Sequence, residues 1–71
     1  MEYLKSVIPV IESNYVNFTT VERSIADFFI YNREQMDFSA KSVAGKLFVS
    51  EASLSRFAKK CGFRGYREFI Y

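Results

Sequence analysis

The chain has no histidine and a single cysteine, Cys61. One cysteine cannot close an internal disulfide, and without histidine or a second thiol a structural zinc site has almost no ligands. The same absences leave Cys61 with no imidazole to activate it, so it reads as a small core hydrophobe and not as a nucleophile. No run of apolar residues nears the roughly 20 needed to cross a bilayer. The opening MEYLKSVIPVIES, acidic at positions 2 and 12, does not read as a signal peptide. Glycine-rich phosphate loops, paired carboxylates and metal-ligand spacings are all missing. No enzyme chemistry, metal or cofactor is expected, and a lone cysteine fits a reducing, cytoplasmic setting.

What the chain does have is aromatic bulk. Its 71 residues suffice for one small domain. Eight Phe and five Tyr let that domain build a ring-rich core, each buried ring removing a large area from water. Charge is unevenly spread. Residues 1–38 hold three basic side chains against six acidic ones, and residues 39–71 hold seven basic against two acidic. That asymmetry suits a polyanion partner for the second half; an ordinary solvated surface is the alternative.

The spacing of apolar residues predicts helices throughout. Leu4, Val7, Ile8 and Ile11 repeat at i, i+3, i+4, i+7 over residues 3–14, with Pro9 expected to kink that helix or delay its start and Asn14 to end it. Thr19 and Glu22 have capping-box spacing, opening a helix to about Tyr31 that buries Ile25, Phe28 and Phe29. Asn32 is expected to cap a single turn, REQM, with Phe38 pinning the loop after it. Ser39 starts a helix over 40–47 with Val43, Ala44 and Leu47 inward. Ser50 starts another over 51–61, with Leu54, Phe57, Ala58 and Cys61 as its apolar stripe. Gly62 supplies a left-handed stop, Phe63 folds back onto the core, Gly65 opens a turn, and YREFIY begins a last helix.

A short helix, a tight turn and a longer helix over about residues 40–61 form a helix-turn-helix. Ala44 is small enough for the close crossing, Val49 is the apolar residue after the turn, and Leu54 and Phe57 lock the second helix from beneath. The expected fold class is all-α: a compact five- or six-helix bundle, homeodomain-like, with residues 1–71 as one domain.

FTTVERSIADFFIYN followed by VSEASLSRFAKKCGFRGYREF resembles the N-terminal DNA-binding domain of the RpiR family of bacterial transcription regulators. Those domains typically read Leu-Thr-x-x-Glu-x-x-Ile-Ala, then Val-Ser-x-x-(Ser/Thr)-(aliphatic)-x-Arg-Phe, then Gly-Phe-x-Gly-(Phe/Tyr)-x-Glu. The matches here are Thr19, Glu22, Ile25, Ala26, Val49, Ser50, Glu51, Ala52, Ser53, Arg56, Phe57, Gly62, Phe63, Gly65, Tyr66 and Glu68. The resemblance implies a regulator of sugar or phosphosugar genes that binds double-stranded DNA. It also implies a C-terminal sugar-isomerase-type domain, absent from this sequence, through which a phosphosugar effector acts. YREFIY carries no helix-end signal, so the chain is expected to be the N-terminal fragment of a longer regulator.

On a helical wheel centred on Leu54 and Cys61, Ala52, Arg56 and Lys59 point most directly away from the core, flanked by Ser53, Ser55 and Lys60. Small residues near the start of this face let the helix backbone enter a major groove, and Arg56 is long enough to reach a base edge or a phosphate. The expected DNA-binding residues are Ser50, Glu51, Ala52, Ser53, Ser55, Arg56, Lys59 and Lys60. Lys46, Arg64 and Arg67 are candidate phosphate contacts. One short recognition helix spans few base pairs, so a homodimer on a pseudo-palindrome is expected. A helical protein-interaction module that does not bind DNA is the rival reading.

Two residues depart from the usual pattern. Phe48 occupies a turn position that helix-turn-helix sequences usually give to Gly, and its ring is expected to pack against the first helix or Phe63 to offset the backbone strain. Gly45, inside the first helix, is weaker there than Ala by about 1 kcal/mol.

Overall fold

Hydroxyl caps start three of the helices. Thr19 Oγ1 accepts from the Glu22 amide at 3.2 Å while Glu22 Oε1 accepts from the Thr19 amide at 2.9 Å, a complete capping box. Ser39 Oγ accepts from the Ser42 amide and Ser50 Oγ from the Ser53 amide, at 3.4 and 3.1 Å. In the computed structural model, the backbone is described for residues 2–32, 34 and 36–70, and the side chains from Val7 onward among these. The side chain of Leu4, Arg33 and Gln35 of the REQM segment, and the terminal Tyr71 lie outside the described residues.

The chain runs α1 (Glu2–Asn14), a 3-10 turn (Tyr15–Asn17), α2 (Thr20–Tyr31), α3 (Ala40–Leu47), α4 (Glu51–Lys60) and α5 (Tyr66–Ile70). Among the described residues no strand forms, so the domain is all-α with five α-helices. α4 is central: it packs on α2, α3 and α5, while α1 closes over α2. Its buried stripe is Leu54, Phe57, Ala58 and Cys61. Cys61 is the cap residue, α4 ending one position earlier than the spacing suggested.

The core is largely built from rings. Phe57 lies 5.0 Å from Phe18, 6.1 Å from Phe29 and 5.4 Å from Phe69 between ring centroids, and Phe29 meets Phe69 edge-on at 5.0 Å. Edge-to-face and offset contacts of this kind add to the area they bury. Val7, Ile11, Ile25, Ala26, Val43 and Ala44 complete the interior. Phe28 and Leu47, expected inside, are half-buried at its margin. Phe63 folds back as expected, 5.4 Å from Phe69.

Three expectations are corrected. α1 does not start late at Pro9; it begins at Glu2 and continues through an exposed proline to Asn14. A proline deletes one backbone bond, and on the solvent side water can satisfy the carbonyl left free. Asn32 does not open a helical turn: Glu34 and Met36 are non-helical. Asn32 takes an extended backbone as the cap ending α2, and its amide group bonds both ways to the Glu34 backbone, donating at 3.1 Å and accepting at 3.4 Å. Such a local side-chain turn competes with helix initiation.

The third correction is Phe48. It does take the left-handed conformation, at φ 56° and ψ 42°, but its ring does not pack: the residue is 95 % exposed. The turn keeps its shape because α3 and α4 share one long closing bond, although the Phe48 amide donates to Ala44 O and the Gly62 amide to Lys59 O. After α4, Phe63 N–H donates to Ala58 O at 3.1 Å and Gly62 N–H to Lys59 O at 3.0 Å, with Gly62 at φ 96°. These two bonds make a Schellman motif. After α3, Val49 N–H donates to Ala44 O at 3.0 Å, the equivalent long bond, with Phe48 in the place of the glycine. Backbone hydrogen bonding thus holds Phe48 in a conformation costing an L-residue roughly 1–2 kcal/mol.

Candidate nucleic-acid interface

The outer face of α4 is set by what lies beneath it. With Leu54, Phe57 and Ala58 buried, Ala52, Arg56 and Lys59 are driven outward and are exposed, and Ser53 and Ser55 flank them half-buried. Ser50 at the helix start and Glu51 in its first turn are also exposed. Ser50 Oγ and Ser53 Oγ are 2.9 Å apart, and Arg56 Nη2 donates to Ser53 Oγ at 3.4 Å. Three residues assigned to one surface from the sequence therefore form a connected polar line along the helix. Lys59 has no partner among the described residues, leaving its ammonium free.

A groove borders this face on each side. One, of about 620 Å³, lies between α4 and the starts of α3 and α5; Ser39, Ala40, Glu51, Ala52, Ser55, Gly65 and Arg67 line it. The other, of about 360 Å³, lies between α4 and the start of α2, lined by Thr19, Val21, Glu22, Ser53, Arg56 and Lys60. Arg67 thus faces the same groove as Ala52 and Ser55, although it sits on α5.

Three sequence-assigned basic residues are differently placed. Lys60 turns toward α2: its Nζ donates to Glu22 Oε1 at 2.7 Å and to the Asn17 carbonyl at 3.1 Å. Lys46, on α3, lies 3.7 Å from Glu34, both well exposed. Arg64, in the turn before α5, lies 3.9 Å from Glu68. Exposed pairs at these distances hold little energy and leave the cations available.

The Lys60–Glu22 contact was missed by sequence reasoning, which assigned Glu22 to capping alone. The capping role holds, and the same carboxylate oxygen also receives the ammonium from 38 positions away. Burial pushes the Glu22 carboxyl up, but the Lys60 hydrogen bond and charge and the Thr19 bonds outweigh it and hold the group below its ordinary value. Burial, with the Glu22 charge adding, pushes the Cys61 thiol up to about 11, so it stays protonated near neutral pH.

Two further contacts steady the approach to α4. Tyr66 Oη donates to the Phe38 carbonyl at 2.7 Å, tying the loop before α3 to α5. Asp37 accepts from the Ser39 amide at 2.9 Å and from the Ser42 hydroxyl at 3.0 Å, and these bonds hold its carboxyl below the usual value. Asp37 two residues before a predicted N-cap serine was the available signal for the second contact. The first had none, being a long-range bond to a backbone atom.

A right-sized pair of helices joined by a left-handed turn, the second exposing small residues at its start and an arginine one turn further on, defines the class of helix-turn-helix DNA-binding domains used in transcription regulation. No curated protein matches the chain. A family model, the helix-turn-helix domain of the rpiR family, matches residues 5–70, and the chain belongs to that family. Among the described residues, no helix is long and apolar enough to cross a membrane, and no group of His, Cys, Asp or Glu is placed to hold a metal ion.

Proposed function

We propose that the chain is the non-catalytic, sequence-reading domain of a bacterial, cytoplasmic transcription regulator. Its α4 enters the major groove, and two copies act as a dimer on a pseudo-palindromic operator. The observation that carries this reading is the outer face of α4, where Ala52 and the two flanking serines leave room for close approach and Arg56 stands exposed one turn further on. A groove about 12 Å wide accepts such a helix, and an arginine paired to guanine O6 and N7 is the commonest specific contact. Arg67 and Lys59 supply charge for the flanking phosphates. Family membership supports control of sugar or phosphosugar genes, with a phosphosugar effector sensed by a further domain of the regulator.

The test is selection of binding duplexes from a randomised library, followed by titration of the recovered sequence with wild-type protein and Arg56→Ala. An arginine that reads a base loses about 1–3 kcal/mol on the selected sequence and little on random DNA. An equal loss on all DNA makes Arg56 a phosphate anchor. A folded Arg56→Ala protein with unchanged affinity removes α4 as the reading helix. Absence of any salt-dependent DNA binding by the wild type favours the protein-interaction reading.

A further inference from the structure

Phe48 is the only non-glycine residue with positive φ among those described, and it is also the most exposed of the large apolar side chains. Either property alone is unremarkable. Together they leave the residue without a role in the fold, since the backbone conformation disfavours any side chain and the ring gains no burial in return. The same chain places Gly62 at the equivalent position of the next helix end, where the same long backbone bond closes the turn and the left-handed conformation costs nothing. Strain that the surrounding bonds enforce and the core does not repay is characteristic of sites that engage a partner.

The position says which partner. Phe48 lies two residues before Ser50, the cap of α4, so its Cα is within about 7.6 Å of the Ser50 Cα. A recognition helix presents its N-terminal residues to the base edges. A residue just ahead of that terminus sits at the wall of the groove, where the accessible apolar surface is deoxyribose and the thymine methyl. Phenylalanine is among the side chains that pack on that methyl.

We propose that Phe48 is a DNA-contacting residue whose ring covers the apolar edge of a nucleotide at the rim of the groove entered by α4. This deepens the DNA-binding reading above and rests on it. The turn then carries an aromatic in a glycine position because the ring is used only in the complex. Its contribution to affinity is apolar, in contrast to the salt-sensitive contributions of Arg56 and Lys59.

The experiment compares Phe48→Ala and Phe48→Gly with the wild type on the duplex that the wild type recovers from a randomised library. Phe48→Ala keeps the strained backbone and removes the ring, so its melting temperature stays within a few degrees of wild type. Phe48→Gly also relieves the strain and melts roughly 4–8 °C higher. Both lose about tenfold or more in affinity with an unchanged dependence on salt. Substituting uracil for thymine separates the two surfaces: a methyl contact weakens the wild type and spares Phe48→Ala, and a sugar contact is unaffected in both.

Equal affinity of either variant with the wild type overturns the proposal, as does a lower melting temperature for Phe48→Gly, which makes the ring a structural element. Loss of affinity accompanied by a shift from dimer to monomer in light scattering also overturns it, assigning the ring to a contact between copies. A wild-type chain that binds no DNA defeats the broader reading and this one with it. Wild-type binding with unimpaired variants defeats this one alone.

Discussion

Replacing Lys60 by Met separates two roles that a lysine near the end of a recognition helix can have. Met keeps an unbranched stem over the α2–α4 contact and removes only the ammonium. Glu22, whose side chain is 6 % exposed, then keeps its negative charge without the cation 2.7 Å away. Removing one partner of a fully buried pair costs about 3–5 kcal/mol. Lys60 is 39 % exposed, so solvent screens part of the loss, and about 2 kcal/mol is the reasonable figure here. For a domain of this size that lowers the melting temperature by roughly 8–16 °C. The assay is a thermal melt by circular dichroism of wild type, Lys60→Met, Glu22→Gln and the double variant, the last measuring the coupling directly. DNA titrations across salt concentrations run alongside. A structural latch gives large coupling and leaves the salt slope of binding unchanged. A free phosphate contact does the reverse, reducing the slope by about one unit at nearly constant melting temperature. Melting within two degrees of wild type refutes the latch.

Gly45 lies exposed in α3, and a Cβ built there meets nothing within 4 Å, so Gly45→Ala is expected to stabilise the domain by about 0.5–1 kcal/mol; an unchanged or lower melting temperature refutes the assignment of open space. Glu22 and Asp37 both hold protons less readily in the folded chain than in the unfolded one. The unfolded state therefore takes up protons first as pH falls, and stability that is full above about pH 5 declines through and below the ordinary carboxylate range. Melts from pH 7 to pH 2.5 check this, with Asp37→Asn and Glu22→Gln each flattening part of the acid limb; a profile flat to pH 3 contradicts it.

What the sequence made legible was mostly local. Ser39, Ser50, Thr19 with Glu22, and Gly62 mark helix ends because each bonds to atoms within a few positions of itself, and the residue type alone carries that information. The stripe of Leu54, Phe57, Ala58 and Cys61 was legible from periodicity, and the outward direction of Ala52, Arg56 and Lys59 followed from it. Contacts distant in sequence were not. Nothing near Lys60 indicates that it turns toward Glu22 instead of outward, because the choice depends on how α2 and α4 are placed by the ring core. The exposure of Phe48 was not legible for another reason: backbone bonds at the end of α3 hold the left-handed turn whether or not the ring is buried. Asn32 was read as opening a helix, and its own short-range hydrogen bonds stop one.

The Tyr66 bond to the loop before α3 has a spectroscopic consequence. The chain has no tryptophan, so its near-ultraviolet signal comes from five tyrosines against a weak phenylalanine background. Tyr66 is buried, donates its proton to the Phe38 carbonyl, and has its phenol pushed well above the ordinary value, chiefly by burial and then by Asp37. Tyr31, by contrast, is 70 % exposed. In alkali the unfolded chain surrenders the Tyr66 proton near pH 10 and the folded chain retains it, so alkaline conditions favour the open form. Phenolate absorbance from this one ring is thus tied to separation of α5 from the loop leading into α3, and the bundle carries its own optical probe beside α4.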